Sequence, residues 1–432
     1  MRILDWNSLS RAQQCVALQR PALAEAARVD AATRDIVARV RRDGDAALLA
    51  LTEQFDGVRL PALAVTTAEF AAAERALTAQ QHAAIERAID NVRRFHAAQS
   101  SPQLRVETSP GVICERFSVP IRAVGLYVPA GSAPLPSTAI MLAVPAALAQ
   151  CPVKLMCTAP NRTGGANSAV LVAARKAGVE QIFKVGGAQA IAAMAYGSES
   201  IPKCDKVFGP GNAYVTAAKI QVAQDAGGAA LDLPAGATEV MVIADEEARP
   251  EFVAADLLAQ AEHSPDAQAI LVTTQRALAA AVAAAVQRQR TRLSRVKILA
   301  ESIQAMRLIV VDTLQSAFDI ANAYAPEHLI LEMREARSWL PNISTAGAVF
   351  LGHWSPESLG DYCSGPNHTL PTYGYARSYS GLSLEDFQRR ITVQELTPSG
   401  LKGLGPTARI LAALEGLDAH AAAVSIRLEA LQ

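Results

Sequence analysis

Residues 124–158, VGLYVPAGSAPLPSTAIMLAVPAALAQCPVKLMCT, decide the fold class. Val124 to Val128 is a short apolar run, Thr138 to Ala149 repeats apolar positions at helical spacing, and Val153 to Thr158 is a second short run. Strand, helix and strand in that order predict a crossover, and with it a parallel pair. The alternation continues through helix Ala169 to Ala177, strand Gln181 to Val185, helix Ala190 to Tyr196, strand Lys206 to Phe208 and helix Ala213 to Ala223. After the turn at Pro234 to Gly236 a second series begins with strand Glu239 to Ile243, helix Pro250 to His263, strand Ala269 to Thr273 and helix Ala277 to Gln289. Strand Leu308 to Val311, helix Leu314 to Ala325 and strand His328 to Leu331 complete it. The fold class is α/β, and two open parallel sheets fit these series better than one.

Outward from these series the pattern changes. Helical spacing runs through Ala31 to Phe55 and Phe70 to Phe95, and returns from Glu385 to Leu431. Gly352 to Gly381 is crowded with Gly, Pro, Ser, Tyr and His without a period, as expected of a functional loop region. No internal repeat or low-complexity linker is present. A chain of 432 residues suggests two or three domains on a prior of about 150 residues each. With 50% apolar and 19% charged residues the composition favours well-buried cores, and a net charge of -1 offers no basic stripe to nucleic acid or an anionic membrane. The stretch Ala123 to Val153 carries no charge, yet Pro129, Pro134, Pro136 and Pro145 with Gly125 and Gly131 break it into pieces too short to span a bilayer. The N-terminus MRILDWN has acid and polar residues where a secretory signal needs an apolar run, so the expected location is the cytoplasm. Six scattered cysteines without a Cys-x-x-Cys pair read as reduced thiols.

Two short segments carry the chemistry. In Gln260-Ala261-Glu262-His263 a helix would put Gln260 and His263 on one face, a spacing that suits a metal. In Pro326-Glu327-His328 a carboxylate and an imidazole stand at a helix-to-strand junction. Five of the seven histidines, His263, His328, His353, His368 and His420, fall late in the chain. Each alone reads more readily as a hydrogen-bonded structural histidine. Oxygen from Asp361 and the Gln260 amide, with imidazole from His263 and His420, would make a mixed site suited to zinc, although the ligands come from distant segments and match no compact motif. Val185 to Ala190 and Gly209 to Tyr214 are glycine turns between strand and helix, where backbone amides can hold a diphosphate; neither completes Gly-x-Gly-x-x-Gly. Tight turns explain them equally well.

Taken together, GLYVPAGSAPLPST, VGGAQAIAAMAYG, GPGNAYVTAAK, AADLLAQAEH, APEHL, GDYCSGPNHTLPT, SGLSLEDFQRR and EGLDAHAAAVSIR occur in an order that closely resembles the histidinol dehydrogenase family over nearly the whole chain. The resemblance implies one zinc ion per subunit on Gln260, His263, Asp361 and His420. It implies NAD contacts by Tyr127, Gln189 and Asn212, and substrate contacts by Thr238, His328, Glu415 and the metal ligands. Glu327 and His328 become the catalytic pair. The implied architecture is two Rossmann-like, incomplete sheet domains in an intertwined homodimer. Residues 1–28 form an N-terminal helical arm, and 29–123 with 238–381 form the first α/β domain, which carries most catalytic residues. Residues 124–237 form the second, on the NAD side, and the C-terminal helical domain of 382–432 reaches the partner subunit, so that Glu415 and His420 act in trans.

The implied reaction is a four-electron oxidation of L-histidinol to L-histidine through L-histidinal, the last steps of histidine biosynthesis. His328 takes the alcohol proton and Glu327 activates water. Other classes compete on chemistry alone: a zinc hydrolase with Glu327 as base, a dehydrogenase of another amino alcohol, a non-catalytic nucleotide-binding protein, or a thioester route through Cys363. Two departures from the family pattern are visible. Pro129-Ala130-Gly131 stands where Pro-Gly-Gly is common, and Gly236-Ala237-Thr238-Glu239 where Gly-Pro-Ser-Glu is common, so the hydroxyl survives as Thr238.

Overall fold

The computed structural model describes residues 1–20, 26–130 and 133–432. Part of the expected N-terminal arm and Gly131 of the Pro129-Ala130-Gly131 turn lie outside the described residues. Strand β1 (Arg2–Asp5) opens the chain, followed by helices Arg11–Ala17, Ala26–Asp56, Thr67–Ala76 and Ala79–Ala97. A hairpin of β2 (Leu104–Ser109) and β3 (Val112–Pro120) leads to β4 (Ala123–Val128), β5 (Val153–Thr158), β6 (Gln181–Phe183), β7 (Lys206–Phe208) and β8 (Ala230–Leu231). Next come β9 (Glu239–Ala244), β10 (Gln268–Thr273), β11 (Arg307–Val310), β12 (His328–Glu332) and β13 (Ala348–Leu351). After β14 (Gln388–Leu396) the chain ends in helices Pro398–Leu414 and Asp418–Glu429.

Both expected parallel sheets form. The first has strand order β6-β5-β4-β7-β8 and the second β1-β11-β10-β9-β12-β13, and every neighbouring pair in them is parallel. Strands β4, β9 and β10 are buried at every position, which is why they read as unbroken apolar runs rather than alternating ones. Helices cover both faces. On the second sheet, Val253, Leu257, Val282 and Val286 pack on one side and Phe318, Ile320 and Tyr324 on the other.

Three expectations need correction. The N-terminal arm is not wholly helical, because Arg2–Asp5 pairs in parallel with β11 and extends the second sheet. The tail from Glu385 is not helical throughout either. Gln388–Leu396 pairs antiparallel with β3 along its whole length, completing a small sheet of order β14-β3-β2. An exposed hairpin edge attracts any segment that can alternate, and RITVQEL can. Finally, the helices within residues 29–97, grouped by the expected division with 238–381, bury their apolar faces on the first sheet: Val40, Leu48 and Leu51 against Tyr127 and Ile191, and Ile89 and Val92 against Val124 and Leu142.

One glycine explains a kink. Gly44 interrupts Ala26–Asp56 at φ 50 and ψ -131, and a Cβ there would stand 2.3 Å from the Glu199 carboxylate, which accepts a hydrogen bond from Asp45 N at 2.7 Å. The C-terminal segment is tied to the first sheet by Phe387, whose ring stacks on Phe208 with centroids 4.0 Å apart and planes 10° from parallel. Both rings are fully buried. Phe387→Ala is therefore expected to lower the free energy of unfolding by about 3–5 kcal/mol in a urea titration; a loss under about 1 kcal/mol would show that this junction contributes little.

Candidate active site

The helix Leu314–Tyr324 ends at Ala325, a non-glycine residue in the left-handed region at φ 55, and Pro326 prevents its continuation. The chain then enters β12, with His328 paired to Val240 on one side and Ala348 on the other. That register brings the start of β12 beside Thr238 and Glu239. Glu327 Oε2 accepts from Thr238 Oγ1 at 2.6 Å and from Glu239 N at 2.8 Å. His328 Nδ1 stands 3.0 Å from the Glu239 carbonyl, which can only accept, so Nδ1 carries a proton. Nε2 is left buried, without a hydrogen-bond partner, 3.6 Å from Asp361 Oδ1. In the neutral ring Nε2 carries the lone pair a general base needs.

Gln260 occupies the last turn of helix Pro250–Ala261. The helix stops before His263, yet His263 N still donates to Gln260 O at 3.3 Å, so the turn carries the imidazole toward the same space. Gln260 is fully buried; its amide nitrogen donates to Thr238 Oγ1 at 2.6 Å, which leaves the single Thr238 hydroxyl proton for Glu327. Glu357 and Asp361 stand one turn apart on helix Glu357–Tyr362. His328, Glu357 and Asp361 each offer a ligand atom within 4.8 Å of the others. Behind Asp361, His368 Nδ1 donates to its carbonyl at 2.7 Å, and His368 Nε2 meets Thr138 Oγ1 of the first sheet's helix at 3.2 Å. The glutamate-histidine pair thus lies at the amino ends of β9 and β12, against the carboxyl side of the first sheet.

So much buried charge shifts titrations. Burial pushes Glu327 up to about 7, partly opposed by His328 and the bonds from Thr238 and Glu239. Burial also raises Glu357 well above the carboxylate range. For His328, burial favours the neutral ring, but Glu357, Glu327 and Asp361 outweigh it and raise it well above its usual value. Burial opposes ionisation of Asp361, and His328, His368 and His263 outweigh that burial and hold it low. Burial lowers His263 and His368, against Asp361.

The fold thus brings together Thr238, Gln260, His263, Glu327, His328 and Asp361. Glu415 and His420 are not among them; both are exposed on C-terminal helices that pack on each other. Tyr127, Gln189 and Asn212 lie at the carboxyl ends of first-sheet strands, where dinucleotides bind in open α/β sheets. The Tyr127 hydroxyl accepts from Gly187 N at 3.0 Å, and Asn212 Oδ1 caps its helix by accepting from Tyr214 N and Val215 N, each at 3.1 Å. Sequence reading missed Glu357, Asp256 and Glu239. For Glu357 a signal existed: it stands four residues before Asp361, one face of one turn.

The donor set fits a divalent cation. Amide oxygen from Gln260, imidazole from His263 and carboxylate from Asp361 are zinc donors, and the orphaned His328 Nε2 and excess carboxylate beside them call for a positive charge.

Asp256, one turn before Gln260, is buried and pushed up to about 7, first by burial and then by Glu332. Its folded value lies above its unfolded one, so its stabilising contribution is full below about pH 4 and is lost as pH rises through about 7. Asp256→Asn cannot ionise. Its melting temperature relative to the parent should rise by a few degrees between pH 4 and pH 8; a constant difference across that window would contradict the assignment.

The family model described as histidinol dehydrogenase matches residues 18–428. The histidinol dehydrogenase of Xanthomonas axonopodis pv. citri is 55% identical over 428 residues, covering 99% of both chains, and that of Aliivibrio fischeri is 51% identical over 431 residues, covering 100% of this chain and 97% of the relative. The crystal structure of histidinol dehydrogenase from Elizabethkingia anophelis, 43% identical, superposes with a TM-score of 0.93 over 100% of this chain and 98% of that one. The chain is an oxidoreductase and belongs to the histidinol dehydrogenase family.

Proposed function

We propose that the chain oxidises L-histidinol to L-histidine in two successive NAD-linked steps, holding L-histidinal between them. The observation that carries this reading is the buried pair of Glu327 and His328, hydrogen-bonded to the backbone of one residue, Glu239, beside Asp361. His328, with its proton fixed on Nδ1, accepts the alcohol proton at Nε2. Glu327, pushed up to about 7, is matched to taking a proton from water near neutral pH, and so to hydrating the aldehyde. His328 then accepts a proton again in the second oxidation. Thr238, which donates to Glu327 and accepts from Gln260, would line the substrate's place beside them.

Gln260, His263 and Asp361 of this chain would hold zinc, with His420 of a second copy as the fourth ligand. When bound there, zinc would supply Lewis-acid charge, and its positive charge would offset the carboxylates that raise His328. Tyr127, Gln189 and Asn212 would hold NAD, which supplies the hydride acceptor for both oxidations. Residues 382–432 would reach a second copy. Exposed Ile410, Leu411 and Leu414 on these helices, alongside Glu415, support a surface that a partner covers.

Glu327→Gln tests the division of labour. Aldehyde oxidation should fall by about 10²-fold to 10⁴-fold, and alcohol oxidation by less. Equal losses, measured with histidinol and histidinal separately, would remove Glu327 from the water-activating role. Mixing tests the shared site. Homodimers of Glu327→Gln and of His420→Asn should each be nearly inactive, while subunit exchange between them should restore about one quarter of parent activity, since one site of each mixed dimer is intact. No recovery after demonstrated exchange would place His420 in its own subunit's chemistry.

A further inference from the structure

Neither the start of β12, where the catalytic pair sits, nor the start of β9 beside it is held by its own sheet alone. The N-terminal segment crosses the second sheet beyond helix Arg11–Ala17, and the carbonyl of Gln19 accepts from Arg307 Nη2 at 2.8 Å. The next residue, Arg20, turns its guanidinium into the protein. Its Nε and Nη2 donate to the two carboxylate oxygens of Glu239, the second at 2.8 Å. Nη2 also reaches the carbonyls of Tyr324 at 3.0 Å and Ala325 at 3.3 Å, and the guanidinium lies 3.8 Å over the Tyr324 ring.

These partners are the two places on which the active pair depends. Glu239 gives its N–H to Glu327 and its carbonyl to His328. Tyr324 and Ala325 are the last residues before Pro326-Glu327-His328, and their carbonyls are helix-end acceptors without a following turn to bond them. Ala325 is held in a left-handed conformation that L-residues disfavour, and one that the following proline does not relieve. A cation at a helix C-terminus is favourable, and only a planar fork can meet a carboxylate and two carbonyls at once.

We propose that Arg20 is a positioning residue for the oxidation: by joining Glu239 to the Tyr324–Ala325 carbonyls it locks together the two chain segments that aim Glu327 and His328. Its hydrogen bonds go to Glu239, Tyr324 and Ala325, none of them a proposed cation ligand. The proposal rests on Glu327 and His328 being the catalytic pair.

Arg20→Lys keeps the charge and loses the fork; Arg20→Gly leaves space for free guanidinium ion. Rates are taken per folded molecule, with the folded fraction from near-ultraviolet circular dichroism, and compared with Glu327→Gln and His328→Gln in the same assay. For Arg20→Lys, kcat for histidinol should fall between about 10-fold and 100-fold while KM stays within about three-fold, because the base is misaimed and the substrate-holding groups are not. Millimolar guanidinium should restore part of the Arg20→Gly rate and none of the Glu327→Gln rate. A kcat for Arg20→Lys within two-fold of parent, a change confined to KM, or a loss accounted for by unfolded protein would overturn the positioning role. If Glu327→Gln and His328→Gln kept parent rates, the catalytic pair itself would be misassigned, a failure distinct from that of Arg20.

Discussion

The arrangement depends on two hydrogen bonds from one residue's backbone: Glu239 N–H to Glu327 Oε2 at 2.8 Å, and His328 Nδ1 to Glu239 O at 3.0 Å. They exist because β9 and β12 run parallel with His328 opposite Val240, which sets Glu239, the first residue of β9, beside Glu327 and His328 at the start of β12. Backbone donors and acceptors inside a sheet do not rotate away. A carboxylate and an imidazole bonded to them are aimed by the sheet. Gly347 allows the third strand to close on this point, since a Cβ there would come within 2.6 Å of the Glu327 carbonyl.

Electrostatics then gives the pocket its character. Glu327, Glu357, Asp361 and Asp256 lie buried near His328 and His263, and by burial alone each carboxylate would be driven toward its neutral form. The imidazoles offset part of this, and a bound cation would offset more. One fold therefore keeps a carboxyl near neutrality and a carboxylate ionised a few ångströms apart, the separation of roles that acid–base chemistry on an alcohol and then on an aldehyde requires. Open α/β sheets usually put their chemistry at the carboxyl ends of strands. Here the glutamate-histidine pair sits at the amino ends of the second sheet, and the carboxyl edge of the first sheet, where Tyr127 and the Asn212 helix cap lie, faces the same region.

Much of this was legible in the chain. Strands buried on both faces read as continuous apolar runs, so Val153–Thr158 and Lys206–Phe208 were readable at their observed bounds, and the glutamate-histidine pair followed from its helix-to-strand junction. What was not legible has a common cause, which is partnership across long stretches of sequence. Local periodicity around Gln388–Leu396 says nothing of the hairpin edge at Val112–Pro120 that makes it a strand. Arg2–Asp5 is a strand only because β11 is beside it. Glu239 looked like an ordinary strand residue, and its importance lies in two backbone groups that no side-chain motif encodes. Glu415 carries its signal only through family resemblance, and His420, a candidate ligand by residue type, stands apart from the other candidate ligands because within one chain it faces solvent.

We propose that one pocket runs both oxidations on a retained intermediate. The most direct test is the yield of NADH from limiting histidinol, with zinc-reconstituted protein, excess NAD and an aldehyde-trapping amine in solution. The account predicts two NADH per histidinol with no trapped histidinal. One NADH per histidinol, with the aldehyde recovered in the trap, would contradict it.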